Sequence, residues 1–287
     1  SAALYYLAVY NNYYVIAVDR DHTAEWVRSH LPLETHERFI FVQDDMLNMS
    51  SSRLEAIISE RWPDRTLSSV RRVHWSPSCT TLSRATRGLS GYRDSFGRPT
   101  HPTSVQDDIV FEHGVTLVQQ ICDLSPKCCA TIENPYSEVF PMLPGVRRLL
   151  ADRKWRLLLS SHCSNTGEMD TGFWPQKDTY VLACRVPRNF HLRLCDFDCQ
   201  HLMPGTARHK AVLCSNHDNH VDQVVISDTM TKGMIPMGVF HQIDKAHSVW
   251  CARHVPVRCN VGMLAPLDES TSEDDLPSST SARIRLQ

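Results

Sequence analysis

The sequence predicts an α/β fold, a mostly parallel sheet with helices on both faces, followed by a small irregular segment rich in Cys and His. Three observations predict it. Through residue 186, short apolar runs of strand length alternate with stretches of helical spacing, the order that builds parallel sheets. Several of those runs end in acids or in polar loops, as strands do where they open onto a site. From about Val186 to Ser227 both periodicities fade, and Cys, His and Asn accumulate.

The elements follow in order. "AALYYLAVY" reads as a helix entered without its preceding strand, so a strand and loop ahead of Ser1 are expected. "YYVIAVDRD" (13–21) is a buried strand ending in acid, and "TAEWVRSHL" is a helix with Asp21 placed to cap it. "RFIFVQDD" is a second acid-ended strand, and "SRLEAIISERW" is a helix with Ser52 and Glu55 at capping-box spacing. "SVRRVHW" is a third strand leading into "SPSCTTLSRATRG". In the next helix, Val110, Leu117, Val118 and Ile121 recur at helical spacing. "CCATIENP" is a fourth strand, a helix lies near "GVRRLLADR", and "WRLLLSSHC" with "TYVLACRV" form a closing pair of strands. "MIPMGVFHQIDKAHSVW" starts after a proline and reads as a helix returning to the core. From Ala265 the chain is acidic, Ser/Thr-rich and poor in apolar residues, the composition of a disordered tail. The domain reading is therefore 1–186, 187–230, 231–264 and 265–287.

Composition narrows the function classes. At 287 residues with 42% hydrophobic and 22% charged content, the chain is able to bury a sizeable core. No run of about 18 apolar residues is present, so no membrane partner is expected. Eleven cysteines in a chain this long, without a visible secretory signal, suggest a reducing intracellular compartment and thiols used for catalysis, metal or packing. Net charge is near zero, but eight arginines face only two acids between Arg61 and Arg98, the electrostatic footprint of a phosphate backbone.

The strand ends bring together Asp19, the pair Asp44 and Asp45, the loop Ser76–Cys79 with Pro77, and Glu133–Asn134–Pro135. Acids at the first two positions suit the ribose hydroxyls and adenine amino group of a nucleoside-bearing cofactor, though strand-end aspartates also cap helices. Free cysteine is most often packing, the expected role of Cys128 and Cys129; Cys79 differs because Ser, Thr and Arg surround it.

This order of parts resembles the cytosine-5 DNA methyltransferases. In that family the cysteine of a Pro-Pro-Cys loop attacks the base, and a Glu-Asn-Val element follows about fifty residues later; "SPSC" and "ENP" match in order and spacing. The resemblance covers roughly residues 1–186 and, more faintly, "MIPMGVFHQI". It implies a Rossmann-like class I methyltransferase sheet, S-adenosylmethionine as cofactor and DNA as partner, with RNA open because the base chemistry is the same. It implies Cys79 as nucleophile, with Glu133 and Asn134 beside it, and Asp19, Asp44, Asp45, Ser76 and Pro77 along the cofactor. Arg84, Arg87 and Lys177 are the expected phosphate contacts. A nuclear or DNA-associated location follows if the source is eukaryotic.

Three departures accompany the resemblance. The family's Phe-x-Gly-x-Gly loop is expected just before Ser1. "SPSC" carries serine where the family usually has proline. The family's Gln-x-Arg-x-Arg segment is matched only by Gln176 and Lys177 in "PQKDTYV", and lysine does not replace a bidentate fork.

Cys184, Cys195, Cys199 and His209 have the residue types of a structural zinc site, with His201, Cys214, His217 and His220 as competitors. In the resembled family this segment reads the target sequence, and a zinc-stiffened module fits there. Two rivals stand against the leading reading. An exocyclic amino methyltransferase needs an aromatic residue at position 79 and has no use for Glu133. A non-catalytic nucleic-acid-binding relative would keep the sheet without the cofactor loop.

Overall fold

Strand β1 (Val15–Asp19) shows why the sheet forms where it does: its apolar side chains alternate between two cores. Val15 and Ala17 face one, while Ile16 and Val18 face the other. The structure, a computed structural model, describes residues 12–29, 31–82, 91–166, 174–213, 223–226 and 235–255. The helix expected at "AALYYLAVY", Arg84 and Arg87, Cys214, His217 and His220, and the tail from 265 lie outside those residues.

Strand β2 (Phe39–Gln43) pairs parallel with β1, Val15 opposite Phe39 through Asp19 opposite Gln43. Strands β3 (Arg72–Trp75) and β4 (Cys129–Pro135) are also parallel. Strand β6 (Asp178–Cys184) inserts antiparallel between β4 and β5 (Trp155–Ser161), giving the order β3-β4-β6-β5. Because β6 runs backwards, its beginning meets the ends of β4 and β5. This reversal decides the composition of the site.

The expected α/β class is observed, with helices on both faces. Helices α2 (Ser51–Arg61), α3 (Pro102–Leu124) and α4 (Pro144–Ala151) cover one face, where Ile58, Phe111, Val115, Val118, Val146 and Leu149 meet Trp75, Ile132 and Leu182. Helix α5 (Met237–His254) covers the other, packing Val239, Phe240 and Ile243 on Ala17, Leu158 and Val181. Each such side chain contributes about 1.5–3 kcal/mol when fully buried. A short helix α1 (Ala24–Ser29) follows β1, and β7 (Ala211–Leu213) pairs parallel with β8 (Val224–Ile226). Among the described residues no helix is long and apolar enough to cross a membrane.

Two caps differ from expectation. Thr23, not Asp21, caps α1, accepting the Trp26 N–H at 3.2 Å. Ser50, not Ser52, caps α2, accepting the Arg53 N–H at 3.1 Å, and Glu55 instead reaches the Leu67 N–H. In both helices the cap is the residue immediately before the first helical turn, whose side chain alone reaches its unpaired donors.

One close approach fixes the layer spacing. Gly114 of α3 lies against the Trp75 ring, where an added Cβ would stand 2.3 Å from the ring edge. Helix α3 therefore sits closer to β3 than any residue with a side chain permits.

Candidate active site at the carboxyl edge of the sheet

The ends of β3, β4 and β5 and the start of β6 share one edge of the four-stranded sheet, and the residues that carry the chemistry gather there; β1 and β2 pair separately, each ending in or just before acids. Cys79 follows β3 in an extended loop anchored to the first turns of α3. Thr81 Oγ1 donates to Asp107 at 2.7 Å, and Ser78 Oγ reaches the same carboxylate at 3.5 Å. Arg93 secures the far side, giving Nε–H to the Thr81 carbonyl at 2.9 Å and a two-pronged contact to Asp108. These anchors hold the loop on a helix rather than leaving it to solvent.

Cys79 itself is exposed. Desolvation by the surrounding loop still raises its thiol above the usual value; Lys177 lowers it and Glu133 raises it. The thiol is thus not pre-ionised, contrary to the depressed value that the cysteine chemistry would favour. The other cysteines of the sheet are packing groups, as expected of Cys128 and Cys129: both are buried, and desolvation pushes Cys129 up to about 12.

Glu133 is 4% exposed at the end of β4, and Lys177 Nζ lies 3.7 Å from its Oε1. Desolvation raises the Glu133 carboxyl above the usual carboxylate range, while Lys177 and a hydrogen bond from Ser76 pull against it. Asn134 beside it is fully buried, and neither of its side-chain polar atoms has a hydrogen-bond partner among the described residues.

Several participants were missed from sequence. His74 of β3 lies between Thr131 Oγ1 (2.9 Å from Nδ1) and Ser76 Oγ (3.0 Å from Nε2). Desolvation, with Arg72 nearby, holds its imidazole at about 3, so the ring is neutral and passes a hydrogen-bond line through Ser76 to Glu133. In the sequence His74 stands only within the third strand "SVRRVHW", with no signal that sets it apart. His162, just past β5, is buried, and its N–H donates to the Lys177 carbonyl at 3.1 Å. Lys177, expected at phosphate, stands beside Glu133, because the reversed β6 begins at the end of β4.

The acids of β1 and β2 are engaged locally but remain acceptors. Asp19 Oδ1 takes the N–H groups of Asp21 and His22 at 2.8 and 3.1 Å. Burial raises its carboxyl, but these bonds outweigh it and leave the group lowered, hence ionised. Asp44 accepts from Asn48 and pairs with Arg53, while Asp45 caps the turn Met46–Asn48. Asp19 and Asp45 side chains keep 43% and 34% of their surface. Accessible carboxylates at adjacent strand ends suit the hydroxyl and amino donors of a nucleoside.

The metal-ligand set read from spacing is corrected. Cys195, Cys199 and His209 converge, but the fourth member is Cys163, not Cys184. Cys184 stands opposite Trp155, at the start of β5, whereas Cys163 follows its end. Six strand residues separate those positions, about 20 Å. His201 is occupied elsewhere, with Thr166 Oγ1 at 3.2 Å and the Trp174 N–H at 3.3 Å.

No family model matches the chain, and no curated protein matches it. Solved structures do. A prophage-encoded E. coli protein assigned as a DNA modification methyltransferase matches at 14% identity and TM-score 0.34, over 58% of this chain and 38% of that one. A DNMT2 mutant from Spodoptera frugiperda matches at 18% identity and TM-score 0.37, over 65% and 50% respectively. The Dnmt2 methyltransferase of S. pombe matches at 14% identity and TM-score 0.34, over 62% and 43%. The chain spans half or less of the length of each of these structures.

Proposed function

We propose that this chain carries the catalytic machinery for transferring a methyl group to carbon 5 of cytosine in DNA, with Cys79 as the nucleophile. One observation carries the reading: an exposed thiol, a buried carboxyl of raised pKa and a buried lysine share one edge of the sheet. Residues 187–230 form the recognition segment, and Arg84 and Arg87, on the nucleophile's own loop, hold phosphates.

The residue chemistry follows from the geometry. Cys79 loses its proton to solvent and its sulfur adds to carbon 6 of a cytosine turned out of the stack. Glu133, whose carboxyl is raised by burial above the usual carboxylate range, donates its proton to ring N3 and drains the charge that develops there. Lys177 fixes the Glu133 carboxyl, and Ser76, backed by neutral His74, fixes it from the other side. Asp19 and Asp45 would hold S-adenosylmethionine, which would supply an electrophilic methyl group for carbon 5, its sulfonium S–C bond breaking to leave the neutral thioether. A water acting as base then takes the carbon-5 proton. The sulfur–carbon bond breaks, and N3 returns its proton to Glu133.

The test is trapping on DNA containing 5-fluorocytosine with S-adenosylmethionine present, using this chain and an N-terminally extended version. A covalent adduct that disappears in Cys79→Ala is expected. An adduct on RNA but not DNA would move the substrate class. Methylation of cytosine without any adduct would favour the exocyclic amino chemistry, and nucleic-acid binding without cofactor binding or adduct would favour the non-catalytic relative.

A further inference from the structure

A second constellation lies beside the site and takes no part in the proposed methyl transfer. Cys163 Sγ, Cys195 Sγ, Cys199 Sγ and a ring nitrogen of His209 all lie within 4.8 Å of one another. Three of the four residues are buried and Cys199 is partly so. We propose that these four residues bind one structural zinc ion, which fastens the segment after Val186 to the carboxyl end of β5.

The distances fit a tetrahedral site. Zinc bonds of about 2.3 Å to sulfur and about 2.0 Å to nitrogen place sulfur and nitrogen about 3.5 Å apart. His209 Nε2 stands 3.4 Å from Cys195 Sγ and 3.3 Å from Cys199 Sγ. The ring nitrogen therefore points between two sulfurs, as a shared ion requires. A disulfide would use two sulfurs and give the imidazole no reason to face them.

The backbone between two of the sulfurs brings them together. Between Cys195 and Cys199 the chain turns through Phe197 in the left-handed region, at φ 57°. A bulky aromatic residue enters that region only when its surroundings enforce it. Here the turn carries both sulfurs to the same point.

Four protein ligands leave no open position, which makes the site structural rather than catalytic. Three thiolates and one imidazole favour zinc over magnesium or calcium. The location explains the use. Among the described residues, the segment holding Cys195, Cys199 and His209 has only short β elements of its own, and Cys163 lies in the turn His162–Ser164 after β5. Hydrogen bonds already stitch the two parts. The Cys195 N–H donates to Ser161 Oγ at 3.0 Å, and Asn165 accepts the Arg193 N–H at 3.0 Å. The ion would lock this seam beside His162, whose N–H holds the Lys177 carbonyl.

The test is metal content of the full chain purified without chelator, by mass spectrometry, with cobalt substitution as a second readout. About one zinc per chain is expected, with the visible absorption of tetrahedral cobalt and a strong sulfur-to-cobalt band on exchange. Cys199→Ser should lose most of the metal. Cys199→His should keep it, with the charge-transfer band reduced by about a third as one of three thiolates is replaced. Cys184→Ser should keep the full complement. A chain without metal, or metal retained in both Cys199→Ser and Cys163→Ser, overturns the proposal. So does metal lost from Cys184→Ser while the folded circular-dichroism spectrum persists.

Discussion

Lys177 Nζ stands 3.7 Å from Glu133 Oε1, and both side chains are largely withdrawn from water. The pair opposes two effects on one carboxyl. Burial favours the neutral acid, and the ammonium favours the carboxylate. The balance leaves Glu133 above the usual carboxylate range, still able to give a proton.

That balance is measurable. In a carbon-13 NMR titration, the Glu133 carboxyl should titrate above the ordinary glutamate midpoint. Lys177→Met should move it higher, because the removed charge was lowering it. A midpoint that falls in Lys177→Met, or a wild-type midpoint below the ordinary value, would contradict the assigned roles.

Cys79 feels the same pair with opposite signs. Lys177 lowers the thiol and Glu133 raises it, on top of the dominant desolvation. The pH midpoint of Cys79 alkylation by iodoacetamide should therefore shift up in Lys177→Met and down in Glu133→Gln. Identical midpoints in all three proteins would place the thiol outside the electrostatic reach of the pair.

Asp107 positions the nucleophile's loop without touching it. Its carboxylate accepts from Thr81 at 2.7 Å, two residues past Cys79. Asp107→Ala should slow adduct formation about 100-fold, the scale of a misplaced reacting group, while changing stability by about 1 kcal/mol. Thr81→Ala should reproduce part of the loss. Unchanged trapping rates in both variants would show that Arg93 alone holds the loop.

Gly114 sets how closely α3 approaches β3. Gly114→Ala should cost about 1–3 kcal/mol in urea denaturation, because the methyl group meets the Trp75 ring rather than space. Adding Trp75→Phe should recover part of that cost if the ring is the obstacle. A neutral Gly114→Ala would show that α3 moves outward freely.

What the sequence determined by itself is what local pattern encodes. Apolar runs such as "VIAVD" and "FIFVQ", alternating with helical stretches, pointed to parallel strands, and the acids that end them marked the open edge. The polar surroundings of Cys79 set it apart from Cys128 and Cys129, and Glu133 followed from its strand end. Three further matters were decided only in the tertiary structure. Lys177 joined Glu133, His74 joined Ser76, and Cys163 displaced Cys184 from the metal cluster. For Lys177 and Cys184 the reason is one topological fact. Strand β6 runs antiparallel between two strands that run the other way, so its first residue meets the ends of β4 and β5 while its last meets the start of β5. Sequence spacing carries no sign for strand direction. Lys177 and Cys184 lie seven residues apart in the chain, yet the reversal assigns them to opposite edges of the sheet.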